Sequence, residues 1–208
     1  MTKEPIILCV DTSTQTITVA ICSGEKSLVE RSEPAQQHHS KILLRVIDEC
    51  LRKANLELQN IDAFATTMGP GSFTGIRTSL GTIKALSFST QKPFIGISTL
   101  LAMVHPLQKS TLATAVLEAR KDFVYVCNFE KKNHLWNPID HPQMISTSCL
   151  KDFILNGSTI VGIDSKSELI RGKTLCEIAL QKFNDGDFED ALTVEPVYIQ
   201  KTAAEGYV

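Results

Sequence analysis

The first third of the chain alternates short apolar blocks with polar breaks. Ile6 to Val10 is a continuous apolar run that stops at Asp11-Thr12-Ser13, and Thr16 to Cys22 alternates. After Ser23-Gly24-Glu25-Lys26, the segment Leu28 to Arg31 pairs back, which predicts a three-stranded meander. From Ser40, a candidate N-cap, to about Ala54 the period changes to that of a helix. With Ile42 placed at 0°, Ile42, Leu43, Leu44, Val46, Ile47, Cys50, Leu51 and Ala54 span roughly 200°, about twice the width that one buried stripe needs. Part of this helix is therefore expected to meet a second surface.

The pattern then predicts a strand over Ile61 to Thr67, a glycine-rich turn, a helix reaching Ser89, a strand over Pro93 to Ile97 and a short helix from about Thr99. Three strands, helix, strand, helix, strand is the ribonuclease-H-like order. A smaller second pass follows the Pro106 to Ser110 linker. It has a strand over Thr111 to Leu117, the turn Glu118-Ala119-Arg120-Lys121 and a strand over Phe123 to Phe129, an echo of the opening hairpin that suggests duplication. Lys131 to Pro142, with the only tryptophan, Trp136, reads as a loop or edge cover. Further on come a helix over Ser148 to Leu155, a strand over Thr159 to Ile163, a helix over Ser165 to Phe183, an acidic turn and an extended tail over Glu195 to Gln200. The expected organisation is α/β, with subdomains 1–106 and 107–208 and the last residues packing back on the first.

The chain is organised around Thr66 to Ser89. A glycine-rich turn that ends a strand and opens a helix presents unpaired N–H groups at the positive end of a helix dipole, where an anion or another backbone can approach. Gly69, Gly71 and Gly75 permit positive φ and close contact, Pro70 fixes one φ, and Ser72 or Thr74 can cap the helix. With Ile76 at 0° and about 100° per residue, Ile76, Leu80 and Ile83 form one face, suited to a sheet. Opposite lie Thr78, Gly81, Thr82, Ala85 and Ser89, small and uncharged, with Arg77 and Lys84 at the edge between. So few charges on a helix of this length predict that it is buried or covered by a partner. Leu44, Ile47 and Leu51 of the first helix and Thr78, Thr82, Ala85, Phe88 and Ser89 of the second are the expected interface.

Composition narrows the class. The 208 residues are 43% apolar with a formal net charge of −2, enough for real cores and too weakly charged for autonomous nucleic-acid binding, which depends on a basic surface. The five apolar residues before Asp11 are too few for a signal-peptide core or a membrane span, so a soluble cytoplasmic protein is expected. Six cysteines sit alone without the close pairing of a zinc site or redox dithiol and read as buried thiols. His38 and His39 are adjacent and cannot chelate a metal as an i, i+4 pair would. Asp11, at the mouth between the first two strands, reads equally as an Asx-turn or as a ligand.

The chemistry is narrowed as much by what does not match. No Gly-Lys-Ser/Thr completes a Walker A loop, no Gly-x-Ser-x-Gly elbow appears, and no carboxylate pair or Ser-His-Asp set can be assembled from sequence. Against that background Val10-Asp11-Thr12-Ser13, His38-His39-Ser40-Lys41-Ile42-Leu43-Leu44 and above all Gly69-Pro70-Gly71-Ser72-Phe73-Thr74-Gly75-Ile76-Arg77 closely resemble the bacterial TsaB (YeaZ) family. Glu118-Ala119-Arg120 is similar to that family's Asp-Ala-Arg turn, with Glu in place of Asp, and Pro196-Val197-Tyr198-Ile199 to its closing signature. The resemblance covers the whole chain.

It implies an actin-like, Hsp70-like ATPase fold of two tandem ribonuclease-H-like subdomains, the second reduced. It also implies a part in forming N6-threonylcarbamoyladenosine at position 37 of tRNAs that read codons starting with A. The family's subunit resembles a degenerate copy of its partner TsaD, which holds a metal through two spaced histidines that this chain lacks. The expected role is a non-catalytic subunit that binds and activates TsaD, recruits the ATPase TsaE, touches tRNA only indirectly and pairs with itself when TsaD is absent. No cofactor, metal or membrane contact is expected; Asp11, Thr12 and Ser13 would be a vestigial nucleotide site. The alternative is an actin-like ATPase or glycoprotease-like hydrolase that uses Asp11 and the glycine turn on phosphate.

Overall fold

Strand β1 (Ile6–Asp11) is buried along its whole length because both of its faces are covered. Ile7 and Cys9 point to one side and Leu8 and Val10 to the other, the period of two that a strand imposes. The computed structural model describes residues 4–34, 39–162 and 170–199, with the side chains of 39–41 also left out of the description. β1 pairs antiparallel with β2 (Thr16–Ser23), which pairs with β3 (Lys26–Pro34). On its other edge β1 runs parallel to β4 (Ala63–Gly69), and β4 to β5 (Phe94–Ser98). The sheet order β3-β2-β1-β4-β5 is that of a ribonuclease-H-like half.

The crossover helices α1 (His39–Lys53) and α2 (Phe73–Thr90) lie on the face carrying Leu8, Val10, Val19, Ile21 and Phe64. On the opposite face the strands present small residues, Cys9, Ala20, Cys22, Ala63 and Ala65, so other elements can come close. Those elements are the short α3 (Thr99–Val104) and α5 (Gly172–Asp185), and α5 packs against all five strands of this sheet. One of the two glutamates of β3 fixes where α5 begins. Glu30 accepts from the backbone N–H of Gly172 at 2.6 Å and of Lys173 at 3.2 Å, placing a carboxylate on the positive end of the helix.

The second sheet follows the same plan on a smaller scale. β6 (Leu112–Arg120) and β7 (Phe123–Lys132) form a hairpin, β8 (Leu135–Pro138) and β9 (Gln143–Ser146) pair with β7, and β10 (Thr159–Val161) runs parallel to β6. The order β10-β6-β7-β8 repeats β4-β1-β2-β3 without a fifth strand among the described residues. One turn of helix, α4 (Leu150–Phe153), precedes β10. The inner face of this second sheet, with Ala113, Ala115, Leu117, Cys127 and Phe129, joins α3 and α5 in a core continuous with the first sheet.

Several elements differ from expectation. The β6–β7 turn is tighter than Glu118-Ala119-Arg120-Lys121, because β6 continues through Arg120 and Asp122 takes φ 64°. Trp136 lies on an edge strand and is buried, with the Lys131 ammonium 5.4 Å from its ring. The last helix starts at Gly172 rather than Ser165, and 163–169 lie outside the described residues. By its contacts α5 belongs with the first sheet, so more than the final residues of the second half returns to the first.

Candidate partner-binding face and glycine turn

The turn after β4 is held backbone to backbone against the β1–β2 turn. Ser72 donates its N–H to the carbonyl oxygen of Ser13 at 2.7 Å, and Thr12 Oγ1 donates to the carbonyl of Gly75 at 2.6 Å. A Cβ on Gly71 would sit 2.4 Å from the Ser13 oxygen, and one on Gly75 only 1.9 Å from the Thr12 oxygen. Gly69 (φ 112°) and Gly71 (φ 156°) do adopt positive φ, but Gly75 is helical, so its role is close approach alone. Ser72, rather than Thr74, is the N-cap, accepting from the Gly75 N–H.

Asp11 serves this junction. Its Oδ1 accepts from the N–H of Ser13 at 3.0 Å, from Ser13 Oγ at 2.6 Å and from Thr67 Oγ1 at 2.6 Å, all buried. The first of these is the Asx-turn left open by the sequence. The amides of Ser72, Gly75 and Ile76 also have protein acceptors. Of the two approaches open to the turn, an anion or another backbone, the structure contains the second. Among the described residues no three His, Cys, Asp or Glu side chains are grouped to hold a metal; His38 and the side chain of His39 lie outside them.

Helix α2 has the two faces its wheel predicts. Ile76, Leu80 and Ile83 are buried on the sheet, while Gly81, Ala85 and Ser89 are exposed and Thr78 and Thr82 half-exposed. Phe88, 63% exposed, stands beside this stripe, and Leu44 of α1 is 57% exposed. Ile47 and Leu51 are a correction. They keep only 4% and 9% of their surface and belong to the core beneath α1, because that helix is covered by the sheet and by α2 together. Leu44 alone of its three expected interface residues faces outward.

The charges on α2 hold the chain's own C-terminal segment. Lys84 Nζ donates to the carbonyl oxygens of Leu192 and Val194 at 3.3 and 2.9 Å, and the Val197 N–H donates to Met68 O at 2.8 Å. Arg77 Nε donates to Tyr198 Oη at 2.6 Å, with its guanidinium 4.1 Å above the Phe73 ring, which stacks 5.4 Å from Tyr198. Residues 189–199 thus form a strap along one flank of α2, leaving the small-residue stripe uncovered. Between strap and helix lies a cleft of about 510 Å³ lined by Phe88, Gln91, Phe94, Glu189 and Leu192. The sequence held two signals for the strap, the lone pair of charges on α2 and the Pro-Val-Tyr-Ile motif, but not the pairing between them.

Two sheets on one topological plan, with a shared core carrying α3 and α5, define an actin-like, Hsp70-like fold of ribonuclease-H-like halves, the second reduced. A solved structure with this fold is YeaZ from Pseudomonas aeruginosa, which superposes with a TM-score of 0.80 over 93% of this chain and 99% of that one, at 22% identity. A family model described as "TsaD: tRNA N6-adenosine threonylcarbamoyltransferase" matches residues 32–158. The chain belongs to that family, on its TsaB (YeaZ) branch. Two relatives bear the name "tRNA threonylcarbamoyladenosine biosynthesis protein TsaB". That of Haemophilus influenzae is 40% identical over 57% of this chain, and that of Escherichia coli 26% identical over 95%. The aligned stretch spans 51% of the first relative and 96% of the second.

Proposed function

We propose that this chain is a non-catalytic subunit in the formation of N6-threonylcarbamoyladenosine on tRNA, docking on a TsaD-type transferase through α2. The observation that carries this is the uncovered stripe of Thr78, Gly81, Thr82, Ala85 and Ser89 beside exposed Phe88, with Leu44 of α1 also exposed. Small side chains let a second helix approach to backbone distance, and exposed Phe88 and Leu44 supply apolar area to bury. Membership of the family supports the pathway. The internal use of Asp11 and of the turn amides supports a scaffold over an ATPase or hydrolase, since the groups that would meet phosphate already hold the protein together.

In this reading the chain activates TsaD in the cytoplasm, recruits TsaE to the pair and meets tRNA only through its partners. Without TsaD the same face pairs with a second copy, because a two-fold contact needs only one self-complementary patch. The test is tRNA modification from supplied threonylcarbamoyl-adenylate, with and without TsaD. Product from this chain alone, or micromolar ATP binding with turnover by the isolated chain, would favour the enzyme instead. Ala85→Arg should abolish both TsaD capture and self-pairing while melting as wild type. A folded variant that retains both would put the interface elsewhere.

A further inference from the structure

The large apolar side chains left exposed on this protein are concentrated along α2 and the strap. Of the ten among the described residues, Phe73, Phe88, Phe188, Leu192, Val197 and Tyr198 belong to α2 or to residues 188–198 beside it. Phe73 and Tyr198 stack on each other. Phe88 from the helix and Leu192 from the strap, 63% and 68% exposed, instead line the cleft of about 510 Å³ between the two. Holding both in water costs the isolated chain and stabilises nothing in it, so the cleft marks a surface for another chain. Charge says what covers it. From Asn184 to Ile199 the sequence holds Asp185, Asp187, Glu189, Asp190 and Glu195 and no Lys, Arg or His. The cations nearby are engaged. Lys84 Nζ lies on the carbonyls of Leu192 and Val194, Arg77 on Tyr198, Lys92 3.8 Å from Asp62 and Lys182 2.8 Å from Asp187. Among the described residues Glu189, Asp190 and Glu195 form no ion pair.

We propose that the strap is part of the docking face and takes a basic amphipathic helix of the transferase, with an apolar side chain seated between Phe88 and Leu192 and Lys or Arg side chains against Glu189, Asp190 and Glu195. This rests on the reading that α2 docks on the transferase, and adds the chemistry of the partner and the means of choosing it. An acidic edge repels RNA phosphates and selects a cationic protein surface. It also selects against a second copy, because a two-fold contact on α2 brings two acidic straps to one interface. Salt therefore acts in opposite directions on the two assemblies. Screening weakens the attraction to the transferase and relieves the repulsion between copies.

The experiment is calorimetric titration of the full chain with the purified TsaD-type transferase of the same organism, and light scattering of the chain alone, from about 50 to 500 mM salt. The expected result is a transferase affinity that falls as salt rises and a self-pairing that strengthens. Leu192→Ala, which empties one wall of the cleft, and Glu195→Lys, which reverses an exposed charge, should each lower transferase affinity about tenfold. Both side chains are exposed, so both variants should melt as wild type. Each reads one part of the face, and if one does not fold the other decides. Transferase affinity unchanged in either folded variant, or rising with salt, overturns the proposal. In that event Ala85→Arg in the same titration separates the two readings. Its loss of binding leaves docking through α2 standing without the strap, and its retention removes both.

Discussion

Thr12 Oγ1 donates a 2.6 Å hydrogen bond to the carbonyl oxygen of Gly75, joining the mouth of the first hairpin to the opening turn of α2 across 63 residues of sequence. With the Ser72 to Ser13 bond, it fixes where α2 starts and therefore which of its faces is turned from the sheet. Any side chain on the helix at this junction would push the two backbones apart.

Gly75→Ala is accordingly expected to destabilise although alanine is the better helix former. The added Cβ meets a backbone oxygen at 1.9 Å, which no rotamer can relieve, and overpacking of this kind costs about 2 to 3 kcal/mol. Gly81→Ala is the control. Nothing lies within 4 Å of its Cβ position, so the helix should gain about 0.5 to 1 kcal/mol. Thermal melts should move in opposite directions for the two variants, and a shared sign would remove close approach as the reason for Gly75.

The apolar run Ile6 to Val10, the alternation of Thr16 to Cys22 and the strand, glycine turn and helix around Gly69 were legible because each is a local rule, a short apolar run, a period of two or of 3.6, or a turn chemistry. The open stripe on α2 was legible for the same reason. Ile47 and Leu51 were not, since a wide apolar arc is equally the mark of a partner and of a helix wedged between its own sheet and a neighbouring helix. The position of α5 was hidden too. Periodicity gives a helix its apolar face but not which of two sheets that face meets, and its anchor, Glu30, lies 142 residues away. Tyr198 on Arg77 is the same problem at 121 residues.

Glu30 makes the anchoring of α5 testable. Glu30→Gln keeps the size and one acceptor oxygen but removes the charge facing the helix N-terminus, and should cost about 0.5 to 1 kcal/mol. Glu30→Ala also leaves the Gly172 and Lys173 amides without their carboxylate and should cost about 1 to 2 kcal/mol. Equal melting temperatures for wild type and both variants would mean that α5 is positioned by its apolar face alone.

Val194 anchors the strap in the core, but beyond it the strap is held by the exposed Arg77–Tyr198 contact and the Val197 N–H to Met68 O bond, and this end should detach before the core unfolds. Tyr198→Phe loses the hydrogen bond from Arg77, worth about 0.5 to 1 kcal/mol, and Tyr198→Ala also loses the ring packed on Phe73. Limited proteolysis between 190 and 199 should accelerate in that order while the global melt barely shifts. Cleavage unchanged in Tyr198→Ala would place the hold on Lys84 and its carbonyl partners instead.

His105, at the end of α3, gives the fold a pH dependence of known sign. Its Nδ1 lies 3.4 Å from Glu177 Oε2 on α5. Burial holds its pKa below the ordinary value, with Glu177 opposing that shift and Lys131 adding to it. With the folded pKa below the unfolded value of about 6.5, the unfolded chain takes up the proton first as the solution is acidified. The contribution of neutral His105 is therefore fully present above about pH 6.5 and is lost as pH falls through the folded pKa. His105→Gln should lose less stability than wild type between about pH 7 and 5. Glu177→Gln should lose more, because removing the carboxylate lowers the histidine pKa further and widens the gap. Melts of the three proteins across that range provide the measurement, and an identical slope in wild type and His105→Gln would assign the pH dependence to other groups.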